Sequence, residues 1–211
     1  DFNRGGTPLM EIVSEPDISS ADEAIAYLTA LKEILVYANV SDCNLEEGNM
    51  RSDVNISIRP VGSEKLGTKV EIKNMNSLSG IHAALLYEAR RQRECIAHSI
   101  PIIQETRRWD ADAMETSSMR TKENAHDYRY FPEPDLVPVE LSEEEIESWR
   151  KALPEKPELR RARMIEQYGI AEYDAGVLSQ DKENADFFEK AAQGLDKKTA
   201  KLVCNLFMGD V

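Results

Sequence analysis

Carboxylates and cations recur at alternate positions in several short stretches of this 211-residue chain. Glu11 with Glu15, then Arg51, Asp53 and Asn55, then Glu71 with Lys73, then Glu105 with Arg107, occupy the polar phase of segments that read as half-buried strands. Carboxylates at i and i+2 on neighbouring strands can converge on a hard divalent ion, which takes oxygen ligands, while interleaved Arg and Lys hold phosphate oxygens. A floor of that kind suits phosphoryl transfer, in which positioning and charge neutralisation supply most of the catalysis. Cross-strand ion pairs on a solvated sheet face, each worth at most ~1 kcal/mol, would give the same pattern. For one strand the two readings are evenly matched; their recurrence over several strands favours a site.

The stretch from Glu105 to Asp135 sets Arg107, Arg108, Arg120, Lys122 and Arg129 among Trp109, Tyr128, Tyr130 and Phe131. Cations mixed with aromatic rings can grip phosphates and stack on bases, so a nucleotide or an RNA end is the expected ligand here. Aromatic core anchors of a solvated loop would explain the rings but not five cations in an acidic chain. The opening Asp1-Phe2-Asn3-Arg4-Gly5-Gly6 lacks the spacing of either glycine-rich phosphate loop and reads first as a turn. His82 and His98 fall on or beside a helix, whereas His126 lies in the polar stretch and is the more interesting of the three.

These groups need a scaffold, and the apolar pattern supplies one. Pro8–Glu15 alternates as a strand until Pro16. Ser19 or Ser20 caps a helix running to about Ala38, with Ala24, Ile25, Leu28, Leu31, Ile34 and Leu35 on one stripe. Met50–Arg59 and Thr68–Asn74 alternate cleanly around a turn-rich segment, which predicts an antiparallel hairpin. A second long helix is expected from Ser77 to Ala97, then strands near 100–109 and 128–131 with a long polar loop from Asp110 to Asp127. Beyond Pro138 the pattern is helical throughout, with starts near Ser142, Glu158, Glu172, Lys182 and Lys197, and with Gly169, Gly194 and Gly209 placed as C-terminal caps. The expected architecture is α+β: an antiparallel sheet covered by helices over residues 1–140, followed by an all-α unit over 141–211.

A net charge of −13 excludes a protein that holds nucleic acid through one broad basic surface, so any RNA contact is local or supplied by partners. Three scattered cysteines without a CxxC pair indicate neither disulfides nor zinc. No apolar run approaches the roughly 18 residues that span a bilayer, so a cytoplasmic location without membrane contact is expected. The chain opens without methionine, directly on a dense motif, which suggests a piece of a longer protein.

DFNRGGTPLMEIVSEPD, GNMRSDVNISIRP, KVEIKNMNS, ETRRWD and SMRTKENAHDYRYFPEPDL, in this order over residues 1–136, resemble the motif series of the B subunit of the tRNA-dependent Asp/Glu amidotransferases, which shares much with the archaeal E subunit. The resemblance implies a cradle like the catalytic fold of glutamine synthetase and guanido kinases, followed by a helical domain. It implies ATP and Mg2+ as cofactors, with ATP phosphorylating the side-chain carboxylate of a misacylated Asp-tRNA or Glu-tRNA. Ammonia from a glutaminase A subunit would then displace the phosphate, and a small C subunit would complete the assembly. In that frame Glu11, Asp53 and Glu71 are the expected catalytic and metal-binding residues, and Arg4, Arg51, Asn55, Lys73, Arg107 and Arg129 the expected ATP-binding ones. The family's N-terminal segment, with a Glu-x-His element, and its tail domain are missing from this sequence, so the chain alone is expected to be inert. A non-catalytic scaffold or tRNA-binding fragment is the alternative.

Overall fold

A computed structural model describes residues 7–121, 135 and 137–210. Four strands and two helices make up its first part: α1 (Ala21–Tyr37), β1 (Val54–Ile56), β2 (Val70–Lys73), α2 (Leu78–Ala97), β3 (Glu105–Asp110) and β4 (Glu115–Thr121). Both helices begin where a serine accepts a hydrogen bond from a backbone N–H of the first turn, Ser20 from Glu23 and Ser77 from Gly80. Their apolar stripes cover one face of the sheet: Leu28 from α1 and Ile81, Ala84 and Leu85 from α2 pack with Ile72, Met75 and Trp109. Burying the Leu, Ile and Met side chains of this set stabilises by roughly 1.5–3 kcal/mol each.

The strand order is β1-β2-β3-β4, with β1 and β2 antiparallel as the hairpin pattern predicts. Gly67 is required in the connection, because a Cβ there would lie 2.1 Å from the Ile58 carbonyl oxygen. The next pair departs from expectation: β2 and β3 run parallel, so the sheet is mixed rather than antiparallel. The physical reason is α2, a helix of 20 residues between them, which carries the chain back to the end of the sheet where β2 begins, so that β3 adds beside β2 in the same direction.

Two further expectations are corrected. Residues 7–15, which alternate like a strand, pair with nothing among the described residues, and Leu9 and Val13 stand 94% and 80% exposed. Alternation marks one face for burial but cannot supply the neighbouring strand that satisfies the backbone. Conversely, the supposed loop after Asp110 contains β4, which pairs antiparallel with β3. The Asp110 carboxylate accepts from the N–H groups of Asp112 and Ala113 and shapes the turn between them. The sequence of β4, ETSSMRT, carries almost no apolar signal because the ladder, not burial, makes it a strand. The strand expected near 128–131 lies outside the described residues.

Five helices follow: α3 (Glu143–Ala152), α4 (Pro157–Tyr168), α5 (Glu172–Gln180), α6 (Lys182–Ala192) and α7 (Lys197–Asp210). Ser142 and Glu145 form a reciprocal capping box at α3, and Gly169 ends α4 with φ 67°. Gly209, expected as a cap, lies inside α7. Met164, Tyr168, Leu178, Phe188, Ala200 and Cys204 form a second apolar core distinct from the first. The two parts meet where α1 touches the helical region: the Tyr37 hydroxyl donates to the Ser179 carbonyl at 2.8 Å, and the Arg160 guanidinium lies 5.7 Å over the Tyr37 ring. Among the described residues no helix is long and apolar enough to cross a membrane.

Candidate active site

In β2, Val70 and Ile72 face the helices, which turns Glu71 and Lys73 to the other side. Asn55 lies directly opposite Glu71 in the antiparallel register, and Asp53, two residues earlier on the same phase, reaches Lys73. The result is a compact group. The Lys73 ammonium pairs with Asp53 and stands 3.5 Å from Glu71 Oε1. The second Glu71 oxygen accepts from the hydroxyl of Thr106 at 2.7 Å, across the parallel β2–β3 ladder. The hydrogen bond from Lys73 to the Asp53 carboxylate, with Glu71 behind it, holds the ammonium above the usual lysine range although partial burial opposes this.

Phase in β3 is set by Trp109, which is 2% exposed in the core. Glu105 and Arg107 share its parity, so they lie beneath α2 and not beside Glu71, contrary to the alternation reading. There Arg107 donates to Glu105 at 2.6 Å and to the hydroxyl and carbonyl of Thr116 at 2.8 and 2.6 Å. Glu88 of α2, with no exposed side-chain surface, lies 3.6 Å from Arg107 and accepts from Arg91, Gln92 and Thr116. Burial pushes the Glu105 carboxyl up, but the Ser118 hydroxyl and Arg107 outweigh it and leave it below the usual carboxylate range. This buried network is structural in placement, and Arg107 is spent in it.

The β3 residues in the phase of Glu71 and Lys73 are Thr106, buried at 1% exposure and not singled out by the charge pattern, and Arg108, which that pattern counted among the loop cations but did not assign to the strand face. Arg108 is exposed and stands opposite Lys73 in the parallel register. The signal was present in the sequence: in ETRRWD the tryptophan sits two residues beyond Arg107, so a core-facing Trp109 forces Thr106 and Arg108 outward.

Glu11 lies on the exposed, unpaired segment, off the sheet. Arg51 is exposed next to the cluster in sequence. Arg4 and Arg129 lie outside the described residues, as do Lys122, His126 and the aromatic run 128–131. Asp53 and Glu71 are oxygen donors of the type a divalent ion takes, and their shared cation shows that they converge on one positive charge. They supply part of a set of about six. Among the described residues no group of three His, Cys, Asp or Glu could hold a metal ion, so Glu11 does not complete the set.

The described part of the first region is thus α+β, with one sheet face covered by two helices and Asp53 and Glu71 held by Lys73 on the other. Comparison with known proteins gives the family. The GatB/GatE catalytic domain matches residues 1–147, and the chain belongs to that family. It is 54% identical over 210 residues to the B subunit of the aspartyl/glutamyl-tRNA(Asn/Gln) amidotransferase of Caldanaerobacter subterraneus subsp. tengcongensis. Proteins of the same description from Crocosphaera subtropica and Chlorobium chlorochromatii are 53% and 54% identical over 212 residues. All of this chain is covered in each case, and it spans 44%, 42% and 44% of the three relatives' own lengths.

Proposed function

We propose that this chain carries part of the ATP-using centre of a tRNA-dependent amidotransferase. The observation that supports this most directly is the open-face group of Asp53, Glu71 and Lys73, which falls within the region matching the catalytic domain. The substrate is the free side-chain carboxylate of an Asp or Glu residue that is esterified through its α-carboxyl to tRNA(Asn) or tRNA(Gln). Its carboxylate oxygen attacks the γ-phosphorus of ATP and ADP leaves; ammonia then attacks the activated carbonyl carbon and phosphate leaves, giving Asn-tRNA or Gln-tRNA. Bound Mg2+ would neutralise phosphate oxygens. Asp53 and Glu71 would supply part of that ion's ligands, Thr106 keeps Glu71 oriented, and Lys73, Arg51, Asn55 and Arg108 would serve the phosphates; Arg4 and Arg129, expected to join them, lie outside the described residues. For Glu11 to join them, the segment 7–15 has to pair as a strand.

On this reading residues 1–140 form the catalytic, cradle-like unit and 141–211 a helical one. The assembly is cytoplasmic and includes a glutaminase A subunit that releases ammonia and a small C subunit. Two carboxylates do not retain a divalent ion by themselves, so this chain alone is expected not to amidate tRNA from ammonium salt and Mg-ATP. The test is glutamine-driven, ATP-dependent amidation of each misacylated tRNA by the full-length assembled protein. Asp53→Asn should lower the rate by more than about a hundredfold, the scale of losing one electrostatic partner of a transition state. Unchanged amidation in Asp53→Asn and Glu71→Gln would favour the scaffold reading instead.

A further inference from the structure

We infer that Glu88 is a positioning residue for the open face: from beneath the sheet, together with Arg107, it fixes the backbone at Thr106, whose hydroxyl holds Glu71. The inference deepens the proposed function and rests on its use of Glu71 and Lys73. An irregularity in the sheet shows where such support is needed. The pairing of β3 with β4 slips between Thr106 and Arg107: Thr106 stands opposite Arg120 but Arg107 opposite Ser118, so Met119 has no counterpart. A slip of this kind interrupts the ladder and bends the strand, and bulges recur beside functional sites, where they re-aim a side chain. The backbone at Thr106 is therefore held less by the ladder than by the side chains around it. On the open side Thr106 donates to Glu71 at 2.7 Å, and Glu71 stands 3.5 Å from the Lys73 ammonium. On the other side Arg107 donates to Thr116 and Glu105, and the Ser118 hydroxyl donates to Glu105, which joins the two sides of the slip.

Glu88 organises that lower layer. It has no exposed side-chain surface and accepts from Arg91 at 2.6 and 2.9 Å, from Gln92 at 3.0 Å and from Thr116 at 3.0 Å, with Arg107 3.6 Å away. Gln92, equally buried, donates onward to the Ile56 carbonyl of β1 at 3.4 Å. One carboxylate of α2 thus reaches β1, β3 and β4, while the buried side chains of β2 are the apolar Val70 and Ile72. Apolar burial is non-directional and leaves the lateral position of a strand loose, whereas hydrogen bonds fix it. Stability does not account for the group: a buried charge carries a large desolvation cost, and apolar residues of similar volume in place of such a pair are often neutral or stabilising. What the carboxylate supplies is geometry, and Thr106, the neighbour of Arg107 at the slip, is where that geometry passes to the open face. A misplacement of about 1 Å can cost about a hundredfold in rate, so a fraction of that shift in Glu71 is enough to register.

The experiment is a double-mutant cycle in the full-length assembled protein, read as kcat for glutamine-driven amidation and as the Thr106 methyl resonance of methyl-labelled protein. Urea unfolding gives the folded fraction of each variant, to which its rate is normalised. Glu88→Gln, which keeps the side-chain length and loses the charge, should lower kcat about tenfold and move the Thr106 methyl signal. Thr106→Val should cause a loss of similar size, and the double variant should be no slower than the slower single, a coupling of about tenfold that independent sites would not show. Arg107→Lys, which keeps the charge but not the fork that reaches Thr116, should repeat both results and stands in where Glu88→Gln folds too poorly to assay. If these variants leave the Thr106 signal in place, or if their losses multiply with that of Thr106→Val, the positioning role is overturned and the reading of the open face stands. If Glu71→Gln and Thr106→Val amidate at the wild-type rate, that reading falls and this inference with it.

Discussion

Replacing Arg107 with Met separates the reading of this arginine as an ATP ligand from its placement beneath α2. The substitution removes the donors that reach Glu105 and both oxygens of Thr116, together with the positive charge 3.6 Å from Glu88. Removing one partner of a buried ion pair typically costs about 3–5 kcal/mol, since the other charge is left without compensation in a poorly solvated place. Here Glu88 keeps Arg91, which donates to both its oxygens at 2.6 and 2.9 Å, and Glu105 keeps Ser118. The low end, about 3 kcal/mol, is therefore expected. With a urea dependence of about 2–3 kcal/mol per molar, the midpoint should fall by roughly 1–1.5 M. The emission of buried Trp109 reports the transition cleanly in a Trp149→Phe background, because Trp149 is 54% exposed. The acid side gives a second readout. Glu105 titrates lower in the folded protein than its ordinary value of 4.5, so it contributes stability above that pH that is lost as pH falls through the depressed value. Arg107→Met should flatten this acid-side loss by weakening what holds the carboxyl down. A variant with an unchanged urea midpoint and a selective loss of nucleotide affinity would refute the placement of Arg107 and restore it to the open face.

Gly67→Ala should destabilise the β1–β2 hairpin strongly and broaden amide resonances there, since its added Cβ meets backbone 2.1 Å away, and a wild-type melting temperature would contradict the close approach. Tyr37→Phe removes the buried hydrogen bond to Ser179 and should cost about 1–2 kcal/mol in chemical unfolding. Cys204 is buried and its thiol is pushed up to about 11 by burial, so alkylation at pH 8 followed by mass spectrometry should label the half-buried Cys95 first and leave Cys204 unmodified until the helical core opens.

What the sequence determined by itself was local. Helix starts follow from side chains that satisfy their own first turn, as with Ser20, Ser77 and the Ser142–Glu145 box, so α1, α2 and α3 were legible to within a residue or two. The β1–β2 hairpin was legible too, because its partner strands are close in the chain and alternate in phase; with it came the convergence of Asp53, Glu71, Asn55 and Lys73. Tertiary structure decided everything that depends on a distant partner. Whether residues 7–15 pair, whether β3 lies parallel or antiparallel to β2, and whether ETSSMRT becomes a strand are questions of which backbone hydrogen bonds find acceptors, on which side-chain pattern is silent. The face taken by Arg107 was decided in the same way. Charge suggested the open side, but the apolar area of Trp109 outweighs it, and Glu88 from α2 supplies the countercharge that makes the burial tolerable.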